Sequence, residues 1–223
     1  GLAGDALTTG ISNIAVGYGS LSTETEHGKN VAIGYFSLLN QNAGADAYNV
    51  AVGYNAGLSV STGIKNTLIG GQAGDALTTG SYNVAVGSEA LSTEDGHGAN
   101  VAIGYRSLKA LNAGAEGYNV AIGYEAGKSV STGTNNTIIG GLAGDALTTG
   151  ADNVAIGWAA LSTEDTGGRN TAIGKGALNL LDAGADGYNV AVGFNSGVAM
   201  TTGIKNTLIG GLTGDALTTG AGN

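Results

Sequence analysis

An Asn followed four residues later by Gly recurs through this chain at spacings of 17, 19, 17 and 17 residues, and that four-step cycle runs three times. The Asn positions are 13, 30, 49, 66, 83, 100, 119, 136, 153, 170, 189, 206 and 223, and the paired Gly positions begin with Gly17, Gly34, Gly53 and Gly70. The four spacings sum to 70, and the segment GLAGDALTTG at Gly1–Gly10 returns with at most one change at Gly71–Gly80, Gly141–Gly150 and Gly211–Gly220. A fixed period without slippage constrains the fold more than any composition does, because each repeat must adopt the same shape and stack on its neighbour. One Asn-to-Asn step is read as one coil, and four coils make a block. Residues 1–223 therefore read as a single continuous β-solenoid, with blocks 1–70, 71–140 and 141–210 and a partial block 211–223. Neither end carries an atypical capping repeat, so a piece of a longer repeat chain is expected.

Between Asn and Gly stand short apolar runs, as in Asn30-Val31-Ala32-Ile33-Gly34 and Asn189-Val190-Ala191-Val192-Gly193. Gly every few residues opposes helix by about 1 kcal/mol each, and no 3.6-residue stripe survives, so the runs read as strands. Asn and Gly suit the corners because both tolerate left-handed backbone. A weaker second strand is expected near Leu21, Leu91 and Leu161. The result is an all-β, parallel β-solenoid of 17- and 19-residue coils. Successive coils should rise about 4.8 Å, or roughly 19 Å per block. The Asn column Asn13, Asn30, Asn49, Asn66, Asn83, Asn100, Asn119, Asn136, Asn153, Asn170, Asn189 and Asn206 is expected to form an amide ladder, each side chain bonding to the next.

Gly contributes 43 of 223 residues, Pro and Cys none, and charged residues only 11%. Collagen would need Gly at every third position and abundant Pro. Disorder is disfavoured by 42% hydrophobic residues in strict period. Without Cys there are no disulfides, thiolate chemistry or cysteine metal sites. A net charge of −9 with scattered basic residues argues against nucleic acid as a partner. No apolar run is long enough for a membrane span. No Ser-His-Asp set, metal triad or phosphate loop stands out, so an enzyme is not expected, nor a cofactor beyond a candidate Ca2+.

Runs such as Val31-Ala32-Ile33 and Val120-Ala121-Ile122 are apolar on both strand faces, which predicts that both faces are covered. A narrow coil covers only one, so self-association is expected, as a homotrimer or a filament. Once per block the central Ala becomes large, at Leu68, Ile138 and Leu208. These three are expected to contact a neighbouring chain, with Gly71, Gly141 and Gly211 making room.

The repeated Asn-Val-Ala-Ile-Gly motif resembles the SVAIG-type head repeats of trimeric autotransporter adhesins and similar repeats in phage tail-fibre proteins. The resemblance spans the whole chain through twelve motif copies. It implies a left-handed parallel β-roll (β-helix), three chains about one axis, and a surface adhesin or fibre located on the cell surface, extracellularly or on a virion. Two departures stand out: the family's coils are shorter, and Asn replaces the usual Ser.

Among candidate sites, the acidic turns come first. Asp5, Asp75, Asp145 and Asp215 lie in the Gly-Asp-Ala-Leu-Thr-Thr-Gly segment, and Glu24, Glu94 with Asp95, and Glu164 with Asp165 lie in the following coil. Asp75, Glu94, Asp95, Asp145, Glu164 and Asp165 are candidates to hold Ca2+ across neighbouring coils. The alternative is a solvated acidic face. Asp46, Glu116 and Asp186 recur once per block, too far apart to repel. His27 and His97 read as exposed loop residues, since a metal site would need more donors. Ranks of Thr such as Thr62 and Thr79 suggest ice binding, yet the same column then meets Gly96. Aromatic residues follow the corner Gly at Tyr18, Tyr35, Tyr54, Tyr105, Tyr124, Trp158 and Phe194, with a second set at Tyr48, Tyr118 and Tyr188. They read either as covers for coil edges or as platforms for a host-surface glycan or receptor. The function expected is a structural fibre or stalk that projects or forms an adhesive surface. The alternative is a solenoid that binds glycan or ice.

Overall fold

The computed structural model describes residues 1–223, which form two compact units, Gly1–Glu116 and Gly117–Asn223. The first unit holds β1 (Ile14–Val16), β2 (Val31–Ile33), β3 (Val50–Val52), β4 (Thr67–Ile69), β5 (Val84–Val86) and β6 (Val101–Ile103). The second holds β7 (Val120–Ile122), β8 (Thr137–Ile139), β9 (Val154–Ile156), β10 (Thr171–Ile173), β11 (Val190–Val192) and β12 (Thr207–Ile209). Within each unit the strands pair in chain order, all parallel, with Val31 on Val50, Val50 on Thr67 and Thr67 on Val84 in the first and Thr171 on Val190 in the second. Each strand occupies one coil, so the architecture is a parallel β-solenoid without helices.

The strands stop after three residues because the next residue is the corner Gly. These glycines have φ of 130–141°, and a Cβ on Gly17, Gly53, Gly87, Gly157 or Gly193 would stand 2.3–2.5 Å from the carbonyl oxygen of the matching Gly one coil on. No L side chain fits both conditions, which is why this position never varies along the chain. Left-handed residues then follow at regular intervals, and they include large side chains. Leu21, Leu38, Leu91, Leu108, Leu161 and Leu178 all have φ of 47–52° and are completely buried. The left-handed conformation costs such a residue about 1–2 kcal/mol, and burying a Leu returns about 1.5–3 kcal/mol. The second strand expected near Leu21, Leu91 and Leu161 is therefore absent: positive φ there turns the chain inward instead of extending it.

The Asn column is in register, with a hydrogen-bond pattern different from a simple amide ladder. Within each unit every Asn Oδ1 accepts the backbone N–H of the next Asn, as in Asn49 to Asn30 at 3.1 Å, Asn66 to Asn49 at 2.8 Å and Asn206 to Asn189 at 3.1 Å. The Nδ2 group donates across the turn to the carbonyl fourteen residues ahead, Asn66 to Gly80 at 2.9 Å and Asn136 to Gly150 at 2.9 Å. Side-chain to side-chain contacts are secondary and long, for example 3.4 Å from Asn100 to Asn83 and 3.2 Å from Asn136 to Asn119. In two of the three 19-residue coils Nδ2 turns back instead, Asn100 to the Gly98 carbonyl at 3.0 Å and Asn170 to that of Gly168 at 3.1 Å, while Asn30 Nδ2 has no hydrogen-bond partner. The column thus satisfies backbone groups that would otherwise be buried unpaired, which is what makes Asn suit it.

The core is one side chain wide. On each strand only the middle residue points inward, and the two flanking ones face out. This overturns the expected role of Leu68, Ile138 and Leu208, which are 0, 0 and 6% exposed and fill the interior of their own coils. The reason is volume. In the first two coils of each block a small central Ala is matched by a Leu from the turn, as with Ala85 and Leu91, whereas in the coils of Ala51, Ala121 and Ala191 the turn position is Gly57, Gly127 or Gly197. Around Leu68 the same turn position is Gly57 or Gly74, where a Cβ would come within 2.7 Å of a Leu68 methyl. Leu208 is matched in the same way by Gly197 and Gly214.

Candidate functional site

Because the strands direct Ala, Leu or Ile inward, their outward positions carry Val, Ile and Thr in two columns. In the first unit these are Ile14 and Val16, Val31 and Ile33, Val50 and Val52, Thr67 and Ile69, Val84 and Val86, and Val101 and Ile103. All are partly or fully exposed, Ile33 and Ile69 at 38% each. The second unit repeats the pattern from Val120 and Ile122 to Thr207 and Ile209, the last 68% exposed. No strand position in either unit is charged. The apolar second face read from the sequence exists, and its own chain leaves it partly uncovered.

An aromatic column borders this face. Tyr18, Tyr35 and Tyr54 stack in successive coils, with ring centroids 5.4 and 5.7 Å apart and interplanar angles of 16° and 14°. In the second unit Lys175 lies between Trp158 and Phe194, at 5.5 and 5.8 Å from their ring centroids. The residue before each Asn forms another column in which cations meet tyrosines. Lys29 Nζ donates to the Tyr48 hydroxyl at 2.9 Å, Lys65 lies 5.1 Å from the Tyr82 ring centroid, and an Arg169 nitrogen donates to Tyr188 at 3.1 Å. Such contacts stabilise an exposed edge by about 0.5–1 kcal/mol each.

The acidic candidates divide. Glu94, Asp95 and His97 have potential ligand atoms within 4.8 Å of one another, as do Glu164, Asp165 and Asp182. Asp75 and Asp145 belong to neither group. The Asp145 carboxylate lies 3.8 Å from Lys128, and the Asp75 Oδ1 atom is buried without a hydrogen-bond partner. Burial pushes both carboxyls above the usual carboxylate range.

The glutamates are not part of a solvated face: Glu24, Glu94 and Glu164 are completely buried. They stand seven residues after the corner Gly, the position that Leu77, Leu111, Leu147 and Leu181 fill in neighbouring coils. Glu94 accepts the His97 N–H at 3.1 Å and the Ala113 N–H at 3.2 Å, and Glu164 accepts those of Gly167 at 2.8 Å and Ala183 at 3.1 Å. Glu94 and Glu164 therefore each close their own loop and anchor the next coil, whereas Glu24 accepts only from Thr25 and His27 of its own loop and its second oxygen is unpartnered. Desolvation nevertheless raises the Glu164 carboxyl above its ordinary range, against those two hydrogen bonds. His27 and His97 are half-buried, not fully exposed, with Nδ1 at 3.7 and 3.3 Å from the adjacent glutamate. A Ca2+ ion takes six to eight oxygens, and the backbone bonds already made by Glu94 and Glu164 explain their burial without one.

The once-per-block acids of the longer coils reach back to the coil before. Asp46 accepts the Gly28 N–H at 3.1 Å and pairs with Lys29 at 2.8 Å, and Glu116 accepts the Gly98 N–H at 3.0 Å. The Lys29 ammonium holds the Asp46 carboxyl below its usual range. Asp186 pairs with Arg169. The Thr rank ends as its spacing predicts, the Thr79 hydroxyl donating to the Gly96 carbonyl at 3.3 Å. The buried role of the glutamates was missed because their neighbours Asp95 and Asp165 suggested an acidic turn. Their alignment with the Leu column was the available signal. No helix is long and apolar enough to cross a membrane. Comparison with protein-family models, curated proteins and solved structures returns no match.

Proposed function

We propose that this chain is a structural fibre or stalk segment, extracellular, on a cell surface or on a virion, whose copies associate side by side through the outward Val/Ile columns. One observation carries the reading: every strand presents two uncharged, largely apolar side chains that its own coil does not cover. A second copy of the chain suits this face. Its columns have the same coil spacing, and the absence of charge at all strand positions lets two copies meet despite a net charge of −9. A homotrimer wound left-handed is the assembly that the sequence resemblance favours, with a laterally packed filament as the open form that results where the same contact does not close. Repetition along such an assembly would give a projecting surface many weak contacts. Ice binding is disfavoured because Gly96 interrupts the Thr rank, and no catalytic role is proposed.

Light scattering on the full chain tests this. A mass of three copies, or a concentration-dependent series, is expected. Val52→Glu with Val86→Glu should reduce it to one copy while the circular-dichroism melt stays unchanged, because both side chains face outward. A monomeric wild-type chain would overturn the proposal.

A further inference from the structure

Three glycines have no structural explanation within the coil. Gly71, Gly141 and Gly211 directly follow the constrained corner glycines, yet none has a positive φ. A Cβ on Gly71 would meet nothing within 4 Å, on Gly211 only the Phe194 carbonyl oxygen at 4.0 Å, and on Gly141 the Trp158 ring at an ordinary 3.5 Å. Neither backbone nor packing excludes a side chain there. What the three share is an aromatic residue beneath them. The Gln72 N–H donates to Tyr54 at 2.8 Å, Leu142 to Tyr124 at 2.9 Å and Leu212 to Phe194 at 2.8 Å, which sets each Gly in register over the ring-bearing residue one coil before.

The missing side chain leaves a notch over a ring. One face of Tyr54 lies against Tyr35, nearly parallel at 14°, so its other face is turned toward the Gly71 position, and the residue is 57% exposed. The coil beyond places Ser88 over Gly71, through the Glu89 N–H on the Gly71 carbonyl at 3.0 Å. Tyr54 and Ser88 are thus two coils apart, roughly 9.6 Å at the usual strand spacing, with no side chain between them. Gln72, exposed, adjoins the notch along the chain, and Ile69 stands two residues before it.

We propose that Tyr54, Gly71 and Ser88 form a saccharide subsite that takes one neutral hexopyranose ring. The C–H face of the sugar stacks on Tyr54 in the space that Gly71 leaves, and its hydroxyls meet the Ser88 hydroxyl and the Gln72 carboxamide. Such a ligand has an apolar face and a polar rim, which matches an aromatic floor edged by hydroxyl and amide groups. A charged sugar acid is disfavoured because Asp75 lies near and the cations of the adjoining coils, Arg106 and Lys109, are already paired with Glu89. Phe194 with Gly211 repeats the floor in the second unit, and Tyr124 with Gly141 repeats it in a narrower form under Trp158. This inference does not depend on self-association.

Saturation-transfer NMR on the full chain provides the test, with methyl β-glucopyranoside, methyl β-galactopyranoside and methyl α-mannopyranoside as probes at about 20 mM, well above a millimolar dissociation constant. Transfer to the ring C–H protons of at least one probe is expected. It should fall about tenfold, the value of one lost aromatic contact, in Gly71→Leu/Gly141→Leu/Gly211→Leu, whose melt should match wild type. Tyr54→Ala/Tyr124→Ala/Phe194→Ala should lose the signal equally, which covers the case of a filled variant that folds poorly. No transfer from any probe to the wild-type chain, or transfer as strong as wild type in both variants, overturns the proposal. Wild-type silence together with a changed oligomeric mass in the filled variant would also overturn it, and would assign the notch to a side chain of a second copy.

Discussion

The coil that starts at Asn83 and the one that starts at Asn66 have the same length and opposite cores. In the first, the strand supplies the small Ala85 and the turn supplies Leu91. In the second, the strand supplies Leu68 and the turn contributes only Gly74. All three large and small core side chains are completely buried. The difference shows that the narrow interior specifies a volume and not a donor: either wall may be bulky, provided that the facing wall is small. Close packing enforces this, since an unfilled core and an overfilled one both cost stability.

The harshest way to break the comparison is to place a side chain where neither coil permits one. Gly87→Ala puts a Cβ 2.4 Å from the Gly104 carbonyl oxygen at φ 138°, and should cost about 3–5 kcal/mol from strain and overpacking together. Gly71→Ala, sixteen residues earlier with open space around its Cβ, should leave the melt unchanged. Equal losses would refute the distinction between the two glycine columns. Next in size, Leu68→Ala should cost about 2–4 kcal/mol through the cavity it leaves. Adding Gly74→Leu should recover a large part, because Leu91 already occupies the same turn position at φ 52°. A double-mutant cycle that shows simple additivity would remove the exchange of donors as an explanation.

The smallest effects concern the coil position shared by Leu77 and Glu94. Glu164→Leu restores the apolar column but strands the N–H groups of Gly167 and Ala183, and should cost about 2 kcal/mol at neutral pH. Its pH dependence has a definite sign. The Glu164 carboxyl is raised in the fold, so its contribution is greatest below the ordinary value of 4.5 and is lost as pH rises through the folded value. The gap between wild type and Glu164→Leu should therefore narrow as pH rises above 4.5, as read by melts across that range. Asp46 has the opposite sign: Lys29 lowers its carboxyl, so its contribution is present above 3.8 and fades as pH falls through the folded value.

Coil length, strand positions, parallel pairing and the Asn and Gly columns were legible before any coordinates, because each rests on a local requirement that recurs in every coil. The site was less so. Val31-Ala32-Ile33 has no polar residue to mark its outward face, so the pattern announced a second apolar surface without saying which side chains formed it, and Leu68 was placed on the wrong side. Glu94 was read with Asp95 as an acidic turn, although one of the pair points into the core and the other into solvent.

The repeat and its corners follow from sequence alone, since a spacing kept through twelve coils leaves each residue type only one place to stand. Which way each side chain faces came from packing in three dimensions. Curvature of a coil one side chain wide turns Ala32 and Leu68 inward and Val31 and Ile33 outward. Buried backbone N–H groups of adjacent loops meet Glu94 and Glu164 inside, and their hydrogen bonds offset part of the cost of desolvating each carboxylate.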